Sequence, residues 1–186
     1  MAYWSGKKTA EAVADVLFGD YNPDGILPFS YERSMGEMVL YDRKPTEDIR
    51  EIFNENMNKS GYAPLYPFGF GLSYTTFSYG DIHLNSNTLS GNGKLTVSVS
   101  LSNTGSRDGK HTVELYTRQH YASITPCMQR LRAFQKISLK AGESKTVTFT
   151  LDKNDLAFVN ADLKTVTEPG DFDIMIGDKK ATFNYK

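Results

Sequence analysis

Two hydrophobic periods divide this chain. Between Ser5 and Phe18 the apolar residues Ala10, Val13, Ala14, Leu17 and Phe18 recur at helical spacing and form one stripe, and Gly19 follows as a C-terminal stop. The pattern predicts an amphipathic helix of about three turns. From Ile82 onward the period is two: Leu95, Val97, Val99 and Leu101 alternate with Thr96, Ser98, Ser100 and Ser102. Val147, Phe149 and Leu151 repeat the alternation, as do Phe172, Ile174 and Ile176. Such runs are strands with one face buried and one wet.

Further strands are predicted at Ile82 to Leu84, Thr112 to Thr117, Arg130 to Leu139 and Ala181 to Tyr185. Turn residues separate them at Asn103-Thr104-Gly105, Ala141-Gly142-Glu143, Pro169-Gly170 and Gly177-Asp178. The fold class expected is therefore mainly β: an immunoglobulin or fibronectin type III-like sandwich of about seven strands. A helix and a short strand precede it, followed by a long loop.

The region between the two periods is less regular. Asn22-Pro23-Asp24-Gly25 has the composition of a tight turn, and Ile26-Leu27-Pro28-Phe29 reads as a strand. The apolar stripe and this strand need a covering surface that the polar residues after them do not supply, as if they ended an α/β domain whose body is absent. Residues 31–64 form a loop longer than ordinary connections, a length typical of lids and binding loops. Within it Ile49, Ile52 and Phe53 suggest a short helix over Glu47–Phe53. The run from Tyr66 to Phe77, dense in aromatics and glycines, marks the junction where the chain changes character. The expected divisions are a remnant of an α/β domain at 1–30, the loop and junction at 31–80, and the β domain at 81–186.

Several motifs in fixed order resemble family 3 glycoside hydrolases, the β-glucosidases and β-xylosidases. Ala14 to Pro28 is similar to the last helix, turn and strand of that family's α/β sandwich domain. Tyr41 and Lys44-Pro45-Thr46 resemble a loop motif of its bacterial members, and Tyr66 to Phe77 resembles the join between its second and third domains. Asn103-Thr104-Gly105, Gly109, Val113 to Tyr116, Leu131 to Lys136, Ala141 to Ser144, Asp155 to Phe158 and Glu168 to Phe172 resemble its closing fibronectin type III-like domain. Thr117, Arg118 and Thr165-Val166 depart from the common pattern.

The resemblance implies what is missing. Retaining glycoside hydrolysis needs a nucleophilic carboxylate and an acid/base carboxyl about 5 Å apart. In the family the first comes from the barrel domain and the second from the α/β sandwich domain upstream of Leu17-Phe18-Gly19, so no catalytic residue is expected here. Acid pairs such as Glu47/Asp48 and Asp171/Asp173 read as solvated surface groups. In the resembling enzymes the 31–64 loop runs towards the substrate pocket, which makes Arg43 and Lys44 the substrate-proximal candidates. Tyr66, Phe68, Gly69, Phe70, Gly71, Tyr74 and Phe77 are expected to pack the domain junction. Tyr3, Trp4, Tyr62 and Tyr79 belong to the same aromatic set, whose alternative use is stacking on sugar.

Composition narrows the partners. A net charge of -1, without a basic stripe, argues against nucleic acid, and no apolar run is long enough to span a bilayer. His83, His111 and His120 lack metal-ligand spacing, Cys127 has no second cysteine, and Gly69 and Gly71 lack the third glycine of a phosphate cradle. No metal or cofactor is expected. The expected partners are the missing N-terminal catalytic domains, an oligosaccharide through them, and a second copy of the chain. Periplasmic or secreted location is the expectation inherited from the family. Two other classes remain open, an autonomous carbohydrate-binding module and a dimerisation domain.

Overall fold

The computed structural model describes residues 6–33, 35, 40–45 and 64–186. The expected helix at Glu47–Phe53 and the start of the first helix at Ser5 lie outside the described residues. In chain order the elements are α1 (Thr9–Phe18), β1 (Phe77–Tyr79), β2 (His83–Leu84), β3 (Thr88–Leu89), β4 (Leu95–Asn103), β5 (Gly109–Gln119) and β6 (Arg130–Leu139). There follow β7 (Ser144–Leu151), a 3-10 turn at Lys153–Leu156, β8 (Phe158–Val159), β9 (Thr165–Val166), β10 (Gly170–Ile176) and β11 (Lys179–Tyr185).

Two sheets face each other. In one, β4 pairs with β7 on one side and with β1 and β2, end to end, on the other. Tyr79 faces Leu101 whereas His83 faces Ser98, so four steps along the edge match three along β4, the mark of a bulge. The second sheet runs β3-β11-β10-β5-β6, antiparallel except for the parallel β3–β11 contact. Alternation then does what the sequence pattern requires: Leu95, Val97, Val99 and Leu101 point inward against Val113, Leu115, Phe172, Ile174, Ile176 and Phe183, all buried. Every buried apolar side chain among the described residues lies at position 89 or beyond. The core belongs to the sandwich alone.

Each predicted strand after Ile82 is present. Thr88–Leu89 and the β8–β9 hairpin are additions that no alternation signals, being two residues long. Before Ile82 two expectations need correction. No hydrogen-bonded turn forms at 22–25, where the Asn22 side chain instead bonds to Asp108 and that of Asp24 to Lys136. Residues 26–29 join no sheet. Leu27 exchanges backbone hydrogen bonds with Gly69 and Phe70, and Tyr31 bridges Tyr66, but Pro28 between them has no N–H to continue a ladder.

Helix α1 ends at Gly19, whose φ of 85° is the left-handed cap that glycine adopts without strain. None of its residues is buried: Leu17 is 72% and Phe18 83% exposed.

Candidate functional site

The seam between the N-terminal segment and the sandwich is where chemistry-bearing residues converge, and one asparagine organises it. Asn22 Oδ1 accepts from the Ser73 hydroxyl at 2.9 Å and the Tyr74 amide at 2.8 Å, while its Nδ2 donates to the Asp108 carbonyl at 2.8 Å. One side chain thereby ties the segment after α1, the junction and the β4–β5 loop together. Tyr74 extends the link, its hydroxyl donating to the Val16 carbonyl at 2.6 Å. Arg107 lies over the Tyr74 ring at 5.7 Å and donates to the Gly19 carbonyl at 3.2 Å. The Val16 carbonyl also accepts the Gly19 amide at 3.2 Å, so the Tyr74 hydroxyl is its second donor, while Arg107 satisfies the carbonyl of the cap residue.

Thr75 is the buried centre of the seam, 7% exposed, and its hydroxyl donates to Asn103 Oδ1 at 2.6 Å. Asn103, 1% exposed, also accepts from the Gly105 amide at 3.1 Å and donates to the Arg107 carbonyl at 2.7 Å. Here the Asn103-Thr104-Gly105 and Gly109 pattern acquires its cause. A Cβ on Gly105 would stand 2.2 Å from Thr75 Oγ1, and one on Gly109 would stand 2.7 Å from Thr75 Cγ2 and 3.0 Å from the Phe77 ring. Both glycines leave room for the junction to seat.

A charged latch lies beside it. Asp24 accepts from Lys136 at 2.7 Å, sits 3.4 Å from Lys110, and accepts the Tyr21 hydroxyl at 2.7 Å. Burial alone would raise its pKa, but the hydrogen bonds from Lys136 and Tyr21 together with Lys110 hold the carboxyl below its ordinary range.

The junction aromatics pack on one another and on the sandwich. Phe68 stacks on Tyr41 at 4.5 Å and Phe77 on the His111 ring at 4.7 Å, while Tyr66 meets Phe70 at 4.9 Å with the rings tilted by 35°. Tyr66 and Tyr74 keep part of their rings exposed. Gly71 lies against Gly25, whose carbonyl would be 2.5 Å from a Cβ, and Gly69 has a φ of 79° beside the Glu114 carboxylate. Glu114 accepts from the Tyr116 hydroxyl at 2.9 Å, and burial raises its pKa. Burial lowers that of His111, which meets the Tyr79 hydroxyl at 2.8 Å.

Arg43 and Lys44 are placed against the sandwich: the Arg43 carbonyl accepts from the Met128 amide at 2.8 Å, and the Lys44 ammonium donates to the Thr125 carbonyl. Asp173 corrects a sequence expectation. It is only 2% exposed rather than solvated, and His120 at 2.9 Å, Lys180 at 2.7 Å and Thr182 at 2.9 Å offset the cost of its burial. Asp171 is exposed, as expected of a surface acid, and accepts from Asn184 at 2.8 Å. Among the described residues no group of three His, Cys, Asp or Glu is placed to hold a metal.

Sequence reasoning read Asn22 and Asp24 as turn residues and gave Thr75 no role of its own within the junction run. Asn22 and Thr75 bond to residues far along the chain, as does Asp24 through Lys136. The signal available was the small Gly105 and Gly109 pair, which implies a close approach by something.

Comparison with known proteins agrees with this architecture. Residues 1–74 match the glycosyl hydrolase family 3 C-terminal domain, and residues 111–180 match the fibronectin type III-like domain. A periplasmic β-glucosidase of Salmonella typhimurium is 41% identical over 94% of this chain, which spans 24% of that protein. A β-xylosidase of Formosa agariphila is 43% identical over 94% of the chain, again 24% of the relative's length. Among solved structures, a β-glucosidase from Erythrobacter marinus superposes with a TM-score of 0.86 at 38% identity, covering 96% of this chain and 24% of that one. A Listeria innocua β-glucosidase in complex with glucose gives a TM-score of 0.83 at 30% identity, with 95% and 26% covered. The chain thus spans about a quarter of the relatives it matches. With a helix whose apolar stripe is exposed leading through a keyed seam into a closed sandwich, the chain belongs to glycoside hydrolase family 3, as its C-terminal portion with the fibronectin type III-like domain.

Proposed function

We propose that this chain is the accessory, non-catalytic part of a family 3 glycosidase of β-glucosidase or β-xylosidase type, and that it buttresses the domains carrying the catalytic carboxyls. The observation that carries this is α1. Its apolar stripe is exposed at Leu17 and Phe18 while its C-terminal end is fastened to the sandwich through Tyr74 and Arg107. A rigid sandwich therefore presents an apolar helix face for a larger partner to cover. Burying a Leu or Phe side chain is worth about 1.5–3 kcal/mol, ample reason for the rest of an α/β domain to close over both.

On this reading 1–30 completes the α/β domain, 31–80 is loop and seam, and 81–186 is the sandwich. Arg43 and Lys44 anchor the start of a loop that in the family is expected to reach the sugar. Oligosaccharide is met only through the catalytic domains, and the compartment is periplasmic or extracellular. The test is turnover of aryl β-glucosides and β-xylosides by the purified chain. The expected result is none, and turnover that copurifies with the chain through successive columns would overturn the assignment of catalysis to other domains. The same exposed helix face would also suit a second copy of the chain. Light scattering that rises to a dimer mass with concentration would favour that use.

A further inference from the structure

A second cluster lies on the sandwich itself, away from α1. The β5–β6 register shifts between Leu115 and Tyr116, leaving Arg132 as the extra residue on β6 and Arg130 opposite Thr117. Bulges re-aim side chains in this way. Arg132 Nε donates to Thr117 Oγ1 at 2.9 Å and its terminal nitrogen to the Ala157 carbonyl at 3.5 Å. Arg130 and Arg132 line a cleft of about 500 Å³ between β5, the 121–129 loop and the β8–β9 hairpin. Ile124, Pro126 and Phe158 supply apolar wall, and Lys44 lines the same cleft.

Among the described residues the charge lining this cleft is one-sided: Lys44, Arg118, Arg130 and Arg132 line it, no Asp or Glu does, and neither Arg130 nor Arg132 has a carboxylate within ion-pair distance. Asp155 is near enough to act on Arg132, but its carboxylate accepts the Asp152 amide at 2.8 Å in the cap of the 3-10 turn. Burial foremost, and then Arg130, draws the Arg132 pKa down to about 10. Two partly buried like charges that line one cleft, with no counter-charge among the described residues, are relieved by an anion that reaches both. Guanidinium forks match a planar carboxylate in two parallel hydrogen bonds. The volume falls within the range of small-molecule sites, and the apolar walls give an organic body something to pack on.

We propose that this cleft binds a small organic carboxylate, its acid group clamped by Arg130 and Arg132 and its body lying against Ile124, Pro126 and Phe158. Inorganic oxyanions use the guanidinium groups but not the walls, so they bind more weakly. Function of the cleft does not depend on the glycosidase reading, since every group in it lies on the chain itself.

The experiment is titration of the full chain with benzoate, with inorganic sulfate, and with sodium chloride at matched ionic strength, followed by calorimetry and by amide chemical shifts. Benzoate should shift residues 117–132 saturably with one site per chain, and more tightly than sulfate. Arg130→Gln and Arg132→Gln should each weaken it by about ten-fold, the scale of one charge-assisted hydrogen-bonded pair. Lys145→Gln, on the other sheet, should leave it unchanged. Arg132 also holds Thr117, so Arg130→Gln, whose side chain makes no hydrogen bond among the described residues, keeps the result readable if Arg132→Gln unfolds. Chloride that reproduces the shifts, sulfate that equals benzoate, or undiminished binding by Arg130→Gln would overturn the proposal. Binding that emerges only after Glu47, Asp48 and Glu51 are neutralised would overturn it too, since the chain's own acids would then be the counter-charge.

Discussion

Helix α1 and strand β4 carry equally clear apolar periodicity, yet one is solvent-exposed and the other is sealed. In β4, Leu95, Val97, Val99 and Leu101 are all buried because a second sheet of the same chain faces them. In α1, Leu17 and Phe18 stand exposed, because nothing described in the chain covers that stripe. An amphipathic pattern states what an element requires, and topology decides whether the same polypeptide provides it. Isolated helices of about ten residues are marginal in water, so α1 depends on its tethers at Val16 and Gly19 as much as on its own hydrogen bonds.

The contrast can be broken most sharply in the core. Leu115→Ala, at a fully buried position, should destabilise the chain by about 2–5 kcal/mol in denaturant unfolding, whereas Leu17→Ala should change it by less than about 0.5 kcal/mol. Equal losses would mean that the helix face is covered within the chain. The seam comes next. Gly105→Ala places a methyl 2.2 Å from Thr75 Oγ1 and should cost about 1–3 kcal/mol. Combining it with Thr75→Ala should recover part of that loss, and strict additivity in the double-mutant cycle would refute the keyed fit.

A smaller effect is expected from Asn22→Ala, which removes three hydrogen bonds at once. It should loosen the N-terminal segment by about 1–2 kcal/mol, read as faster amide exchange at Tyr74 with β4 and β5 amides unchanged. Smallest is the charged latch. The Asp24 pKa is lowered in the folded chain, so its stabilisation is present above its unfolded value near 4 and is lost as pH falls through the folded value. Acid titration should therefore show α1 loosening below about pH 4 by no more than about 1 kcal/mol, and Asp24→Asn should remove that dependence.

What the sequence made legible follows from range. Alternation and turn glycines are local signals, so strands such as Arg130–Leu139 and caps such as Gly19 could be read directly. Order and spacing of motifs made the family legible as well. Asn22 was read as a turn residue because its partners Tyr74 and Asp108 lie far along the chain, and only the folded seam brings them together. Likewise Pro28 looked compatible with a strand until its partner segment at 66–70 showed that no ladder continues across it. Asp173 looked solvated because its three donors come from elsewhere in the sheet, Lys180 and Thr182 from β11 and His120 from just past β5.

The central claim is that α1 belongs to an interface completed by the rest of a family 3 enzyme. Hydrogen–deuterium exchange on this chain and on a polypeptide that also carries the remaining domains tests it most directly. The account predicts that amides of Thr9–Phe18 become protected by at least about ten-fold in the longer polypeptide while β4, β5 and β10 amides exchange alike in both. Equal exchange of α1 in the two would contradict it.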